Sequence, residues 1–511
     1  MKYLLHGLRF PVCRDYDLAE RVSAHLGLAP SSFRILKIIR RAVDTRKHNL
    51  PFYDFSVELS IDTCVPEHKD LQAIKAVQTS QAQKIVVHDA HPLIAGMGPA
   101  GLFCALGLVE NGLKPILIDR GDDLDQRAKK VRQYWSGDDL DPESNLQFGE
   151  GGAGAWSDGK LTSRSKDPLS ERVFEIMTRL GAPAEIAWEA LPHLGTDGIR
   201  ALVKAIRKTL IEAGCEFHYR SKLEDIRLQA GKLKAVKVNG EWHPSSLLIL
   251  APGNASRDSF RMLSARGVAM EAKPFAAGFR IEQSQARIDL AVYGSHKWRE
   301  LLGPASYRLT DRRTGTYSFC MCPGGMVVAA ASEPNTIVCN GMSYADRGAE
   351  LCNSAIVCGV DEQIFGTGRF AGMEWQERVE KSAWKPGNLA PAIRAEDFLK
   401  GRISNGVMAG SYLPGIRPAD FSAFLPSTLL TRLRGGLSSF AAILRDFNKD
   451  AVLIAPETRT SSPLRFPRDP LTMSCRDIPN LFVIGEGSGY AGGIISSAID
   501  GYRLGSRLMS K

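Results

Sequence analysis

The chain has 511 residues, of which 44% are hydrophobic and 24% are charged. This length is too great for one hydrophobic core and predicts two or three domains, while the composition excludes a long disordered or fibrous protein. The formal net charge of +9 is a mild excess over so long a chain, and by itself it does not indicate a nucleic-acid partner.

The first residues and the cysteines predict a soluble, cytoplasmic protein. Residues 1–5 lack the apolar run of a secretion signal, and no stretch approaches the ~18 apolar residues that cross a bilayer, so we expect no membrane partner. The ten cysteines contain no Cys-x-x-Cys pair of zinc or disulfide type. We therefore expect buried thiols in a reducing compartment and no metal site.

Residues 1–90 are predicted to form a small α+β domain. Its expected elements are an apolar stretch at residues 3–10, helices over 17–26 and 32–46 that start at the N-caps Asp17 and Ser32, and an alternating strand at 53–59. This block carries no catalytic constellation. We interpret it as a structural or partner-docking appendage.

The most basic segment of the chain lies within the second of these predicted helices. Its cations are Arg34, Lys37, Arg40, Arg41, Arg46 and Lys47. Arg34, Lys37 and Arg41 are spaced so that they would share one helix face. We interpret the segment as a solvated helix face. The alternative, a nucleic-acid surface, has less support because few aromatic side chains are interleaved.

From residue 91 the pattern becomes strand, glycine turn, helix and strand, which is typical of a parallel α/β unit. Residues 93–95 form the first strand, 102–110 the helix and 115–118 the second strand, which ends at Asp119. The turn between the first strand and the helix contains Gly96, Gly98, Pro99, Ala100 and Gly101.

Each part of this pattern has a physical role in binding a dinucleotide. Gly96 turns the chain tightly, Gly98 lets the backbone approach a pyrophosphate, and Gly101 lets the helix pack on the strand. The helix N-terminus faces the anion. Asp119 stands where an acid binds ribose hydroxyls, and an acid there favours FAD or NAD over NADP.

Two later segments favour FAD. Residues 246–253 form a short apolar strand that ends at Gly253. Residues 480–487 form another strand that ends at Gly485 and Glu486, and a helix of small residues follows at 496–504 after Gly492, Gly493 and Ile494. A separate pyridine-nucleotide domain of the disulfide-reductase type is not predicted.

Together these segments resemble the two-dinucleotide-binding-domain flavoprotein superfamily, and more narrowly the uncharacterised FAD-dependent dehydrogenases often called FAD-dependent protein C. The resemblance spans nearly the whole chain, and its most specific segments are residues 145–154, 157–161, 318–325, 340–343 and 485–494. It implies FAD as cofactor, Glu486 at the ribityl chain and a helix N-terminus near the flavin pyrimidine. Glu486 stands where aspartate is commoner, and Pro252 stands where threonine is commoner.

The resemblance also implies cofactor contacts in a second glycine segment, where small residues allow close backbone approach. Its glycines are Gly149, Gly151, Gly152 and Gly154. Arg120 and Arg127 are expected partners of adenosine or phosphate, with a solvated surface role as the alternative.

Three residues are candidates for catalysis. Cys320 and Cys322 would point to the same side of an extended strand, and such a close thiol pair could be redox-active. A disulfide within Cys-x-Cys would be strained. The alternative is that both are buried structural thiols. Lys160, beside Asp158, could polarise the substrate or the flavin, with a surface salt bridge as the alternative.

The sequence therefore predicts an α/β protein with a Rossmann-like FAD-binding domain that is discontinuous in sequence, an inserted α+β substrate domain and a small N-terminal α+β domain. The predicted boundaries are 1–90 for the N-terminal domain, 91–264 and 461–511 for the FAD-binding domain and 265–460 for the substrate domain.

The predicted function is an FAD-dependent oxidoreductase, of dehydrogenase or reductase type, acting on a small molecule. Free NAD(P)H, the substrate or a protein could donate electrons. One alternative is a flavin-containing RNA-binding or RNA-modifying protein that docks through residues 34–47, although we expect no nucleic-acid partner. Another is a protein in which FAD is structural.

Overall fold

The structure is a computed structural model, and it describes residues 1–47, 50–62, 67–74, 84–87, 91–162, 167–406 and 408–510. The described chain is a mixed α/β protein with a six-stranded and a seven-stranded sheet and several smaller ones. Within these ranges no helix has the length and apolar character needed to span a bilayer.

A four-stranded antiparallel sheet of order β2-β3-β1-β4 forms the N-terminal unit, and its elements are β1 Lys2–Pro11, α1 Leu18–Leu26, β2 Phe33–Asp44, β3 Phe52–Ile61 and β4 Leu71–Ala73. The Asp17 carboxylate accepts hydrogen bonds from the N–H groups of Ala19 and Glu20 at the start of α1. The predicted helix at 17–26, its N-cap and the strand at 53–59 are confirmed.

The helix predicted over residues 32–46 is wrong, because this segment is strand β2 at the outer edge of the sheet. Ser32 accordingly caps no helix of that kind and ends a short 3-10 turn. The pairing of β2 with β3 shifts register twice, between Ile35 and Lys37 and between Ile38 and Arg40. Each bulge inserts an extra residue, so the basic residues recur at a helix-like spacing although the chain is a strand.

The basic segment is therefore not a solvated helix face. Ion pairs join Lys37 to Glu171 and Arg41 to Glu189, and both acids lie outside the N-terminal unit. A third pair joins Arg46 to Asp44. Two of the six cations thus pair with acids of later segments of the chain. No observation favours an RNA surface here.

The remaining elements follow in chain order. Up to residue 265 they are β5 Ile85–Val87, β6 Leu93–Ala95, α2 Pro99–Glu110, β7 Ile116–Ile118, α3 Leu124–Trp135, α4 Leu169–Arg179, α5 Gly195–Glu212, β8 Glu216–His218, β9 Leu223–Gln229, β10 Lys232–Val238, β11 Glu241–Pro244, β12 Leu248–Leu250 and α6 Arg257–Ala265.

The middle of the chain contains β13 Glu271–Ala272, β14 Phe275–Ser284, α7 Gln285–Tyr293, α8 Arg299–Leu302, β15 Thr310–Asp311, β16 Thr316–Cys322, β17 Met326–Ala329, β18 Cys339–Met342, β19 Leu351–Val360, α9 Glu362–Phe365, α10 Ala371–Ala383, β20 Ala390–Arg394, α11 Ala395–Leu399, β21 Ile416–Pro418, α12 Ser427–Ile443 and β22 Val452–Glu457. The last elements are β23 Leu464–Arg465, β24 Ser474–Cys475, β25 Ile478–Val483, α13 Ile494–Gly505 and β26 Leu508–Ser510.

The six-stranded sheet, of order β24-β25-β12-β6-β7-β8, joins segments that are far apart in the chain. Strands β25, β12, β6, β7 and β8 run parallel, and β24 is antiparallel to β25. The predicted strands at 93–95, 115–118, 246–253 and 480–487 all contribute to it, and the helices predicted at 102–110 and 496–504 are α2 and α13. Those predictions are confirmed at the level of the elements.

The seven-stranded sheet has the order β15-β16-β19-β14-β22-β20-β21. Its pairs are antiparallel except for β20 with β21. All of its strands lie between residues 275 and 457, within the predicted substrate domain. The domain boundaries themselves stay a prediction.

Candidate functional site

A cavity of about 1440 Å³ is lined by both large sheets. The residues that follow β6, β12 and β25 line it on one side, and residues of β14, β16 and β22 line it on the other. Pockets for small ligands usually measure about 300 to 1,000 Å³. The cavity therefore has room for a ligand larger than a typical metabolite.

Most of the predicted site residues line this cavity: Gly96, Gly98, Pro99, Ala100, Asp119, Arg120, Gly149, Gly152, Gly154, Lys160, Gly253, Cys320, Gly485, Glu486, Gly492, Gly493 and Ile494. Four others lie outside its lining: Gly101, Arg127, Gly151 and Cys322. The structure thus brings together residues from four distant parts of the sequence.

The glycines of the turn between β6 and α2 have different surroundings. A Cβ on Gly96 would lie 2.2 Å from the Ala251 carbonyl oxygen, and one on Gly101 would lie 2.0 Å from the Gly96 carbonyl oxygen. At Gly98 the nearest atom would be the Gly152 Cα at 3.8 Å. Gly96 and Gly101 are therefore required by packing, whereas Gly98 leaves open space beside the cavity.

Two helix N-termini border the cavity without a side-chain cap. Helix α2 starts at Pro99 and α13 starts at Ile494, and neither has a side-chain hydrogen bond at its N-cap. The helices lie close together because a Cβ on Gly501 of α13 would be only 2.0 Å from the Ala100 carbonyl oxygen. Uncapped N–H groups and the helix dipole make both ends suitable for an anion or an electron-rich group.

Asp119 ties the end of β7 to the glycine turn. Its carboxylate accepts hydrogen bonds from the N–H groups of Met97, at 2.8 Å, and Gly121, at 2.9 Å. A carboxylate has about four acceptor positions, so two remain for other donors. Asp119 can therefore support the turn and still bind a hydroxyl group.

Arg127 is fully buried and holds the second glycine segment in place. Its guanidinium donates to the carbonyl oxygens of Asn145, Leu146, Gly149, Glu150 and Gly152 at 2.6 to 3.1 Å. Burial lowers the pKa of Arg127 to about 9. Because its N–H groups are used within the loop, Arg127 positions the loop instead of contacting a ligand as predicted.

Arg120 lines the cavity, but its guanidinium is already paired. It donates to Glu143 at 2.5 Å and to Asp258 at 2.9 and 2.8 Å, and it lies 4.3 Å above the ring of Phe148. These contacts use the guanidinium within the protein, and binding of adenosine or phosphate by Arg120 stays a prediction.

Glu486 follows β25 and meets Asn254, which follows β12. Asn254 Nδ2 donates a hydrogen bond to Glu486 Oε1 at 3.0 Å, and both residues line the cavity. Burial raises the pKa of Glu486 to about 7. Asn254 was not identified from the sequence, because a lone asparagine after a strand carries no motif.

Cys320 and Cys322 lie at a break in strand β16. The register with β19 shifts between Phe319 and Cys322, and Cys320 has a left-handed φ of 47°. Both cysteines belong to strand β16, as expected, but the irregularity at Cys320 interrupts the alternation of side chains on which a common side depends. Cys320 lines the cavity, while Cys322 is buried and its thiol donates to the Cys320 carbonyl oxygen at 3.3 Å. A non-glycine residue in this conformation is strained.

The Cys320 thiol is surrounded by groups that favour its thiolate. The neighbouring Cys322 side chain lowers the pKa of Cys320, and the charges of Lys160 and Arg280 lower it further. The neighbouring Cys320 side chain and burial raise the pKa of Cys322. Cys320 lines the cavity and Cys322 does not, so Cys320 is the member of the pair that a ligand in the cavity could contact.

Lys160 belongs to a buried ionic cluster beside these thiols. Its ammonium lies 2.7 Å from Asp158 Oδ2 and donates to the carbonyl oxygen of Met321. Arg347 Nη2 donates to the same Asp158 oxygen at 2.7 Å, and Ser343 donates to the other. Burial alone would raise the pKa of Asp158, but Lys160 and Arg347 lower it. With Asp158 fully buried, the pair is not a surface salt bridge.

Arg280 and Glu457 form a further buried ion pair beside Cys320, and neither residue was identified from the sequence. Arg280 Nε lies 2.6 Å from Glu457 Oε2, and its Nη1 donates to the Cys320 carbonyl oxygen at 3.1 Å. Burial raises the pKa of Glu457 to about 7. The two residues are far apart in sequence and lie on β14 and β22, so no local pattern could reveal the pair.

Comparisons with known proteins identify relatives over the whole chain. Residues 274–460 match a family described as FAD-dependent protein, C-terminal domain-like. An uncharacterized protein of Clostridium beijerinckii is 39% identical over 516 residues, which cover 97% of this chain and 96% of that protein.

Solved structures give weaker similarities. The L-amino acid deaminase from Proteus vulgaris is 10% identical, with 84% of this chain and 93% of that one covered and a TM-score of 0.36. The L-proline dehydrogenase from P. horikoshii is 9% identical, with coverages of 82% and 92% and a TM-score of 0.38. Both are too distant to indicate an activity or a substrate.

Proposed function

Because this chain belongs to the family of FAD-dependent proteins and FAD is its cofactor, we propose that it is a cytoplasmic FAD-dependent oxidoreductase acting on a small molecule. The observation that carries this proposal is the cavity in which the glycine turn and two uncapped helix N-termini face Cys320 and Lys160. The cysteines in the described ranges are all free thiols, which suits a reducing compartment.

The residues of the parallel-sheet wall fit FAD. The space beside Gly98, at the uncapped start of α2, suits the pyrophosphate. Asp119 would accept hydrogen bonds from the ribose, and Glu486, oriented by Asn254, would accept them from the ribityl hydroxyls. The start of α13 would face the flavin ring.

We further propose that residues 91–264 and 461–511 together form a Rossmann-like FAD-binding domain and that residues 265–460 form the inserted substrate domain. The sheets support this division. The six-stranded sheet takes β6, β7, β8 and β12 from the first segment and β24 and β25 from the last. The seven-stranded sheet is built only from strands between them.

When bound, FAD supplies two-electron redox chemistry, and the protein residues handle the accompanying proton. We propose that Cys320 accepts this proton. While the substrate carbon is oxidised, the Cys320 thiolate would accept the proton from the adjacent oxygen or nitrogen, so that this atom forms a double bond to the carbon in the product. Lys160 and Arg280 would hold Cys320 as the thiolate, and Cys322 is a positioning residue.

The electron donor or acceptor that completes the cycle is expected to reach the cavity from solution. NADH or NADPH would bind there without a dedicated domain of its own. An anaerobic titration of the purified protein with NADH, NADPH and a panel of small alcohols, amines and amino acids tests this directly. The expected result is bleaching of the flavin absorbance by at least one of them. Failure of every reductant would favour a structural FAD.

The cofactor itself has a separate test. The purified protein should be yellow and should release FAD, not FMN, when it is denatured, because the glycine turn and Asp119 match the adenosine half that FMN lacks. Chromatography that finds FMN, or no flavin, would contradict the proposal.

The role of Cys320 is tested by Cys320→Ser. Turnover with the identified substrate should fall by about 100-fold or more, the contribution typical of a general base, while the FAD content stays unchanged. Cys13→Ser, a thiol in the N-terminal unit, is the matched control and should keep full activity. In the native protein Cys320 should be alkylated faster than the buried cysteines, and bound substrate should slow the reaction. Full activity in a Cys320→Ser/Cys322→Ser variant would show that the pair only packs.

A further inference from the structure

Three possible metal ligands meet in the N-terminal unit, outside the cavity. His25 lies in the last turn of α1, and His68 and Asp70 precede β4. Asp70 Oδ2 lies 3.3 Å from His25 Nε2 and 3.9 Å from His68 Nδ1. One ligand atom from each residue lies within 4.8 Å of the other two.

One of the histidine nitrogens has no hydrogen bond within the described part of the chain. His25 Nε2 is buried and has no hydrogen-bond partner in the described part of the chain, although it faces the Asp70 carboxylate. His68 Nδ1 accepts only a long hydrogen bond, at 3.3 Å, from the Asp70 N–H group. A buried polar atom without a hydrogen bond is costly, so the arrangement favours a ligand between these groups.

From this geometry we propose that His25, His68 and Asp70 bind one divalent first-row transition cation, with Zn²⁺ as the best match. Zinc takes imidazole nitrogen and carboxylate oxygen at about 2.0 to 2.2 Å, which puts two ligands of a tetrahedral site about 3.3 Å apart. The separation of His25 Nε2 from Asp70 Oδ2 already has this value. The other separations are wider, at 3.9 Å from His68 Nδ1 to Asp70 Oδ2 and up to 4.8 Å among the three ligand atoms. His68 must therefore move closer by on the order of 1 Å to reach the tetrahedral spacing of about 3.3 Å.

The types of ligand also indicate which metal ions the site would prefer. Two imidazoles and one carboxylate are borderline ligands that suit zinc and its neighbours more than Mg²⁺ or Ca²⁺, which prefer oxygen. Three protein ligands leave one position for water. Each of the three side chains keeps about a quarter of its surface exposed, at 25%, 25% and 28%, so an ion can reach the site from solvent.

A bound ion would connect helix α1 to the segment that precedes the short strand β4. Strand β4 has three residues and pairs only along β1, from Tyr3↔Ala73 to Leu5↔Leu71, within the described residues. The ion would join the segment before β4 to the end of α1. It would therefore stabilise the N-terminal unit, and it is independent of the FAD site.

The test uses the full-length, FAD-loaded protein, treated with a chelator, freed of it by dialysis and titrated with Zn²⁺ in a calorimeter. We expect one Zn²⁺ per chain. His25→Ala and His68→Ala should each weaken binding by at least about 10- to 100-fold, the loss that even an outer partner of a metal ligand can cause. The matched control is His218→Ala, which removes a histidine that pairs with a single acid, Glu216, at 3.1 Å. This control should leave the affinity unchanged.

A second variant controls for the case in which a histidine substitution lowers the affinity by unfolding the N-terminal unit. Asp70→Asn keeps the side-chain shape and removes the charge, and it should also lower the affinity while the flavin absorbance stays unchanged. Co²⁺ in place of Zn²⁺ should give visible absorption bands that vanish in all three variants. Absence of stoichiometric binding, or binding that survives both histidine substitutions, would overturn the proposal. Neither result would bear on the FAD-dependent function.

Discussion

The two walls of the cavity present their chemistry in different ways. The wall at the carboxyl edge of the parallel sheet offers backbone: glycines without side chains and the uncapped starts of α2 and α13. The opposite wall offers charged side chains: Lys160 and Asp158 pair with each other, and Glu457 pairs with the buried Arg280 behind it. Substitutions in the first wall should therefore change FAD occupancy, whereas those in the second should change stability and turnover.

The largest effect is expected at Asp158, whose carboxylate compensates two cations in the second wall. Asp158→Asn would remove the buried negative charge that compensates Lys160 and Arg347. We expect the free energy of unfolding to fall by about 3 kcal/mol. This value is the lower end of the range for a broken buried ion pair, and we choose it because Lys160 lines the cavity and is only partly buried. Urea denaturation measures this. Asp139→Asn, an exposed acid, is the control and should stay within about 0.5 kcal/mol.

The same variant has a pH signature. Because the folded pKa of Asp158 lies below its ordinary value of 3.8, its stabilising contribution is present above that pH and is lost as the pH falls through the folded pKa. The difference in unfolding free energy between the wild type and Asp158→Asn should therefore be largest at neutral pH and should shrink in strong acid. A difference that does not depend on pH would mean that the cluster does not act through charge.

The first wall is tested at Gly98. Gly98→Val should weaken FAD binding by more than about 100-fold while the protein stays folded, because the added side chain has room next to Gly152 but occupies the space of the pyrophosphate. Gly359→Val is the matched control, since Gly359 is exposed on β19, has an ordinary φ and would meet only the end of Arg432 at 3.9 Å. Flavin fluorescence gives the affinity. Full occupancy in Gly98→Val would show that the turn does not hold the cofactor.

A smaller effect is expected at Glu486. Glu486→Ala removes a charged acceptor, which typically contributes about 1.5 to 3 kcal/mol, so the dissociation constant of FAD should rise about 10- to 100-fold. Asn254→Ala should weaken FAD binding too, but by less, because it removes the hydrogen bond that orients the Glu486 carboxylate and leaves the carboxylate itself in place. An unchanged dissociation constant in both variants would assign Glu486 a different role.

The smallest effect is a pH dependence of FAD binding. With a pKa of about 7 in the empty site, Glu486 is protonated below that pH and then accepts hydrogen bonds poorly. Bound FAD would favour the charged form, so the affinity should fall as the pH drops below 7, by at most about tenfold per pH unit. Glu486→Gln should remove this dependence. A profile shared by wild type and variant would place the titrating group elsewhere.

The N-terminal unit shows where reasoning from periodicity fails. Residues 17–26 follow a helical pattern, have a capping aspartate and form α1. Residues 33–44 have a similar spacing of basic residues and form the bulged edge strand β2. The difference lies in the pairing with β3, a contact between distant segments that outweighs local preference.

By itself, the sequence determined the parallel α/β unit, the cofactor class and the glycine turn, because glycine conformation and helix N-termini act over a few neighbouring residues. Only the tertiary structure decided that Arg127 supports a loop, that Asn254 meets Glu486, and that Asp158, Lys160 and Arg347 form one buried cluster. Such contacts join residues far apart in the chain, and their energy depends on burial, which no local pattern encodes.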